Sequence, residues 1–416
     1  MRRTSSGVLS LRAPAKLNLG LRVLGLRPDG YHLIESLFAP IELWDDVQVE
    51  ILPGASKIDL QVESAPGSGL PPALSRVPSG PTNLVFQAAA AFCREYDVQG
   101  RVRIRLVKRI PAGAGLGGGS SDAAAVLRGL AALIGGGEHA PSDMEALALT
   151  LGADVPFFLA PQPALVRGIG EQIEPLEGLP PLDVVVANPG ISLATAEVYR
   201  AADALGGALT PSRAGSTMRA FGRLGLCRGS SEEGSSEEGS SEKGSSEKGS
   251  SAREAWKDAL GDLLVNDLEP AARRLCPPIG RLAGQLRECG ALAVSMTGSG
   301  ATVFGIFASR SQAAQAARTL RGWRGEGQRL TADERPAEQE RADERIERRE
   351  RPEGRERRRE RRREGRERHE RLGEDESRSG EPGGGEPARA PRECEEERSE
   401  RGWVQATRLA SPAFDI

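Results

Sequence analysis

Histidine is almost missing from this sequence. His32, His139 and His369 are the three in 416 residues, too few and too scattered for a histidine-rich metal centre. Cysteine is scarce as well: Cys93, Cys227, Cys276, Cys289 and Cys394 include no CxxC pair. An odd count without that spacing argues against a disulfide framework or a zinc site and favours a reducing compartment. No apolar run reaches membrane-spanning length. The start, MRRTSSGVLSLRAPAKLNL, opens on two arginines without a long apolar region ahead of the first strand pattern. That argues against a signal peptide, and the stretch is short for a transit peptide. Neither sign of charge dominates, since the net is −3, which excludes a general polyanion binder. The expectation from these absences is a cytoplasmic, soluble protein without a nucleic-acid or membrane partner.

Two biased segments interrupt the chain. Residues 229–251, GSSEEGSSEEGSSEKGSSEKGSS, repeat a pentapeptide without an apolar residue. Such a segment buries nothing that would offset its ordering entropy, so a flexible linker is expected. Residues 325–400 are rich in Glu, Arg, Gly and Pro; 351–372 hold 11 Arg against 6 Glu, and 374–400 hold 10 acids against 4 Arg. ERRRERRRE can form transient helix through i,i+4 pairs, but Pro352, Gly354 and Gly365 interrupt the pattern. With little aromatic interleaving the arginine block lacks stacking surface for nucleic acid, and a disordered insertion is expected. Residues 401–410, RGWVQATRLA, carry a strand-like core that is expected to return to the fold and pair with a sheet.

The remaining sequence mixes periods. Leu17, Leu19, Leu21 and Val23 alternate as a strand does, and so do Val47, Val49 and Ile51. Residues 83–96 read as helix, and 102–106, VRIRL, as a strand with one wet face. Residues 182–187 and 302–307 read as strands, and a segment near 253–275 as helical. Between them lies PAGAGLGGGSSDAAA, 111–125, followed by Ala123, Val126, Leu127, Leu130 and Ile134 at helical spacing. Glycines let backbone N–H groups approach an anion, and the helix N-terminus adds free donors and partial positive charge. Ser120 and Ser121 add hydroxyls and can cap the helix. Together these residues make a phosphate cradle. A P-loop would place Lys after its last glycine, where this sequence has Ser-Ser-Asp. A formal GxGxxG at Gly113, Gly115 and Gly118 lacks the fully buried parallel strand that a dinucleotide fold puts ahead of it.

Three ordered stretches, APAKLNLGL at 13–21, PAGAGLGGGSSDAAA at 111–125 and SMTGSGATVFG at 295–305, resemble the motifs of the GHMP kinases. RPDGYHLIESLF at 27–38, LGADVPFFL at 151–159, GIGEQIEPL at 168–176 and NPGISLATAEVY at 188–199 resemble, within that superfamily, the 4-diphosphocytidyl-2-C-methyl-D-erythritol kinases. The resemblance implies a two-domain α+β fold: an ATP-binding N-terminal domain at 8–165, a smaller C-terminal domain at 166–324 interrupted by the 229–251 linker, the 325–400 insertion, and a returning strand and tail at 401–416. It implies transfer of the γ-phosphoryl of ATP to the 2-hydroxyl of a methylerythritol carrying cytidine diphosphate, in the non-mevalonate route to isoprenoid precursors.

Roles follow from the same resemblance. Asp154 matches the catalytic aspartate and Lys16 its partner; without the family, Asp154 reads as a turn or cap residue and Lys16 as a snorkelling strand lysine. Pro111, Gly113, Gly115, Gly117, Gly118, Gly119, Ser120 and Ser121 would hold the nucleotide, with Asn83 and Lys108 near the adenine. Tyr31, His32 and Tyr199 would read the cytosine, and Asn18 and Thr195 would touch substrate; on its own His32 reads as a satisfied turn histidine. Thr297, Gly298, Ser299 and Gly300 form a second glycine turn that would help close the pocket. Magnesium is expected with ATP, and its ligands are not assigned. A monomer and a homodimer both fit. Another kinase of the superfamily remains an alternative, as does a non-catalytic regulator that binds nucleotide or nucleic acid through the Arg/Glu insertion.

Overall fold

The structure is a computed structural model that describes residues 2–3, 7–135, 141–177, 179–206, 260–261, 263–321 and 402–410. The chain divides into two units, 1–325 with 399–416, and 326–398; every described residue belongs to the first. The 229–251 repeat, the tail from 411, the part of the helical reading before 260 and, but for Gly402–Ala410 beyond it, everything from 322 onward lie outside the described residues.

A seven-stranded sheet dominates the N-terminal part. It comprises β1 (Arg2–Arg3), β2 (Leu9–Leu26), β3 (His32–Leu52), β4 (Lys57–Ser64), β5 (Arg101–Lys108), β6 (Ala164–Gly168) and β7 (Gln172–Pro175). β2 and β3 are antiparallel and far longer than the short strands their alternation marks, with register shifts at Pro14/Ala15, Asn18/Gly20 and Val23/Gly25. Such irregularities bend a strand and re-aim side chains, which lets the polar Lys16 and Asn18 point inward without ending the ladder. β5 pairs antiparallel with β3 and parallel with β4, and its arginines Arg101, Arg103 and Arg105 take the wet face. β6 spans the expected 165/166 boundary, and with β7 it remains in this first sheet.

Helices α1 (Pro72–Ser75), α2 (Leu84–Glu95), α3 (Gly118–Leu133) and α4 (Pro141–Leu151) follow the chain order. Small residues let them pack close to the sheet. Ala88 and Ala89 of α2 and Ala123, Ala124 and Ala125 of α3 are buried with Leu11, Val47, Val49, Phe92 and Ile104 in one core. A methyl group at Gly129 of α3 would stand 3.1 Å from Leu11 Cδ1. Phe157 and Phe158, in a 3-10 turn at Pro156–Leu159, pack edge-on to each other and join the same core.

The C-terminal part has β8 (Asp183–Asn188), α5 (Thr195–Ala204), α6 (Glu269–Leu275), α7 (Pro278–Glu288), β9 (Ala293–Met296), β10 (Val303–Phe307), α8 (Arg310–Leu320) and β11 (Trp403–Arg408). Its four-stranded sheet runs β11-β8-β10-β9, antiparallel throughout. β11 pairs with β8 from Trp403↔Asn188 to Arg408↔Asp183, and Trp403 Nε1 donates to the Ser68 carbonyl at 3.2 Å. Leu17, Leu19 and Leu37 share a core with Val184, Val186, Phe304 and Trp403, so the two sheets are joined through apolar side chains. No helix among the described residues is long and apolar enough to cross a membrane.

Candidate active site

The glycine loop enters α3 through Gly117, which sits in the left-handed region at φ 70° as the N-cap. Ser120 and Ser121 therefore lie inside the first turn, and neither caps the helix as the sequence suggested. Glycine at 117 leaves the cap without a side chain and the helix N–H groups free for a ligand. Gly115 has a packing reason: at φ 75° its missing Cβ would lie 2.5 Å from the Thr297 carbonyl. Gly119 is different, being exposed and helical, with nothing within 4 Å of the methyl it lacks. Ser121 Oγ is buried there without a partner.

Lys16 reaches this loop from β2. Its backbone N–H donates to Leu116 O at 3.0 Å. Its ammonium stands 2.5 Å from Asn18 Oδ1, 3.6 Å from Asp154 Oδ2 and 4.1 Å from the centre of the Phe38 ring. Burial pushes the Lys16 pKa down, and the Asp154 carboxylate pulls it partly back. Asp154 lies in the turn between α4 and the 3-10 turn, with a third of its side chain exposed. The lysine is thus dry and the carboxylate is open. Asn18 ties the motifs together: its N–H donates to Thr297 Oγ1 at 3.0 Å and its Nδ2 to Ser36 Oγ at 2.8 Å. Thr297 Oγ1 also lies 3.3 Å from Gly115 O. The three motif stretches, nearly 300 residues apart in sequence, meet at one point.

Lys108 sits below the loop. Its ammonium donates to Asp45 at 2.5 Å and Asp122 at 2.6 Å, with all three groups buried. Burial opposes that charge, but Asp122 and Asp45 override it and hold the lysine above its usual pKa. Burial raises Asp122 well above the ordinary carboxylate range, against the pull of Lys108, and its Oδ1 has no hydrogen-bond partner. Asn83 stands at the N-cap of α2, accepting from Val85 N–H and donating to Pro78 O. Both residues expected near the adenine are engaged in holding structure.

The third group faces α5. His32 opens β3 and stacks on Tyr199, ring centres 4.6 Å apart. The Tyr199 phenol is pushed up to about 12 by burial, with Asp154 and Asp203 adding to the effect. Tyr31 is 60 % exposed on the turn before β3. Thr195 Oγ1 lies 3.0 Å from Ser299 Oγ, joining α5 to the second glycine turn. Three residues that sequence reasoning missed hold these parts. Asp45 accepts from the N–H groups of Arg109 and Ile110 as well as from Lys108. Asn266 donates to the carbonyls of Met296 and Gly298. Asp203 bonds His32 at 2.8 Å. The one available signal was an acid interrupting strand alternation at WDD, 44–46.

Among the described residues no group of three or more His, Cys, Asp or Glu could hold a metal ion. Residues 83–161 match the GHMP kinases N terminal domain and residues 250–323 the GHMP kinases C terminal domain. A 4-diphosphocytidyl-2-C-methyl-D-erythritol kinase of Citrifermentans bemidjiense is 36 % identical over 318 residues, 76 % of this chain and 96 % of that protein. One from Thermus thermophilus is 39 % identical over 312 residues, 75 % and 92 %. A crystal structure of a 4-(cytidine 5'-diphospho)-2C-methyl-D-erythritol kinase aligns with TM-score 0.55 and 37 % identity over 75 % of this chain and 95 % of that one. Homoserine kinase from Cytophaga hutchinsonii, at 18 % identity and TM-score 0.53, shares the fold over 76 % of this chain and 90 % of its own. The two-domain architecture, the three motifs gathered at one point and this degree of identity place the chain in the 4-diphosphocytidyl-2-C-methyl-D-erythritol kinase family of the GHMP kinases.

Proposed function

We propose that this enzyme transfers the γ-phosphoryl of ATP to the 2-hydroxyl of 4-diphosphocytidyl-2-C-methyl-D-erythritol in the non-mevalonate isoprenoid pathway. Asp154 accepts the hydroxyl proton, the alcohol oxygen forms the new P–O bond, and the bond to ADP breaks. The observation that carries this reading is the Lys16–Asp154 pair at 3.6 Å beside the glycine loop. Phosphoryl transfer asks little covalent chemistry of a protein; it needs alignment, charge stabilisation and a base. Lys16 stands beside Asp154 and can meet phosphoryl oxygens, while Asn18 fixes the ammonium. The loop N–H groups at the head of α3 hold the phosphates.

Magnesium fits as an ion that arrives on the nucleotide. The unpartnered Ser121 Oγ is a hard oxygen donor of the kind it takes, and phosphates and water complete such shells. It would supply charge neutralisation at the phosphates. Tyr31 and Tyr199 would stack on the cytosine and His32 would read its edge, with Thr195 a further substrate contact from the start of α5. The test is ADP release from ATP and Mg²⁺ with this substrate beside mevalonate and homoserine. We expect strong preference for the cytidine compound; turnover of another alcohol instead would overturn the substrate assignment. Asp154→Asn is expected to lower kcat by about 10²- to 10⁴-fold and leave the KM for ATP nearly unchanged. Loss of ATP binding would assign Asp154 a structural role.

A further inference from the structure

Asp203 lies one helical turn beyond Tyr199 on α5, so a single helix face carries the stacking ring and a carboxylate. His32 meets both. Its ring lies on Tyr199 with planes 28° apart, and its Nε2 is 2.8 Å from Asp203 Oδ1. The imidazole is 11 % exposed, against 41 % for the carboxylate. We propose that Asp203 is a positioning residue that fixes the tautomer of His32 and thereby makes the site select an aminopyrimidine over an oxopyrimidine. The inference rests on the reading of His32 and Tyr199 as base contacts.

An ionised carboxylate accepts hydrogen bonds and cannot donate, so Nε2 must carry the hydrogen. In the neutral ring Nδ1 then keeps its lone pair, and among the described residues it has no partner. An acceptor nitrogen is complementary to the exocyclic amine of cytosine. It opposes the carbonyl oxygen that uracil carries at the same position. The ring, tied to Asp203 through Nε2, is no longer free to turn that donor toward the base. If the Asp203 contact were simply a surface ion pair it would contribute little, and base choice would not depend on it.

The test is kcat/KM for 4-diphosphocytidyl-2-C-methyl-D-erythritol and for its uridine counterpart, with wild type, Asp203→Asn and Asp203→Glu. An asparagine amide can accept from Nε2–H or donate to a bare Nε2, so D203N releases the tautomer while keeping shape. Wild type is expected to prefer the cytidine compound about 10- to 100-fold, the scale of one matched against one opposed buried hydrogen bond. D203N is expected to bring that ratio toward parity without altering the KM for ATP, and D203E to restore it. Imidazole ¹⁵N spectra supply an independent readout, because the chain has three histidines and H32Q assigns the signal. Wild type is expected to show the Nε2–H form at His32, and D203N a mixture. An unchanged cytidine-to-uridine ratio in D203N, or an Nδ1–H form in wild type, overturns the inference and leaves the cytidine reading standing. A wild type without cytidine preference removes that reading and the inference with it.

Discussion

Gly119 is a glycine that the packing does not require. A methyl there meets no protein atom, and alanine favours a helix over glycine by about 1 kcal/mol. Gly119→Ala is therefore expected to raise thermal stability slightly and to raise the KM for ATP at least tenfold, because the methyl occupies the approach to the phosphates. An unchanged KM would mean the cradle lies elsewhere in the loop. Lys16 yields a second expectation. Burial depresses its pKa below 10.5, so folding releases its proton and its contribution to stability rises with pH in the window just under that value. Activity should behave oppositely, with the alkaline limb of kcat falling at a midpoint below 10.5 as the ammonium is lost. A pH–rate profile flat to that pH would exclude a need for the charge. At this scale the site was partly legible: Lys16, Asp154 and the glycines sit in motifs that can be read along the chain. Asp45, Asn266 and Asp203 were not, because each acts on a partner brought near by the fold, His32 standing 171 residues from Asp203.

Strand alternation marked stretches inside β2, β3 and β5, and 182–187 and 302–307 read as strands where β8 and β10 stand, but the pattern did not show how far β2 and β3 extend. The register shifts carry β2 and β3 past polar residues that a strict period reads as strand ends. β11 was legible from GWVQAT alone, since Trp403 and Val404 are buried on the second sheet. Truncation after Gly325 removes it, baring β8 and the core around Val184, Val186 and Phe304. Losing a buried tryptophan alone costs about 3–5 kcal/mol. The truncated chain is expected to lose cooperative unfolding in urea. An unaltered midpoint would show that the strand adds nothing.

Over the whole molecule, the relatives align along nearly their full length while covering about three quarters of this chain. Every residue placed at the site lies within 16–300, and the strand that completes the second sheet begins at Trp403. Replacing 326–398 by a short Gly/Ser linker is accordingly expected to leave kcat and both KM values unchanged. A folded but inactive product would give that segment a catalytic part.

The pairing of β8 with β11 also sets a timetable for synthesis. Asn188 finds Trp403 as its neighbour, so more than two hundred residues are added after β8 before its outer edge can be covered. At about 5–20 residues per second that is roughly ten to forty seconds on the ribosome. Through that interval the central strand Asp183–Asn188, five of its six residues buried in the finished protein, waits with its outer edge unpaired, and with both edges bare until β10 is made, the condition in which strands recruit the wrong partner. Chaperone demand for this enzyme is thus written into the order of its strands.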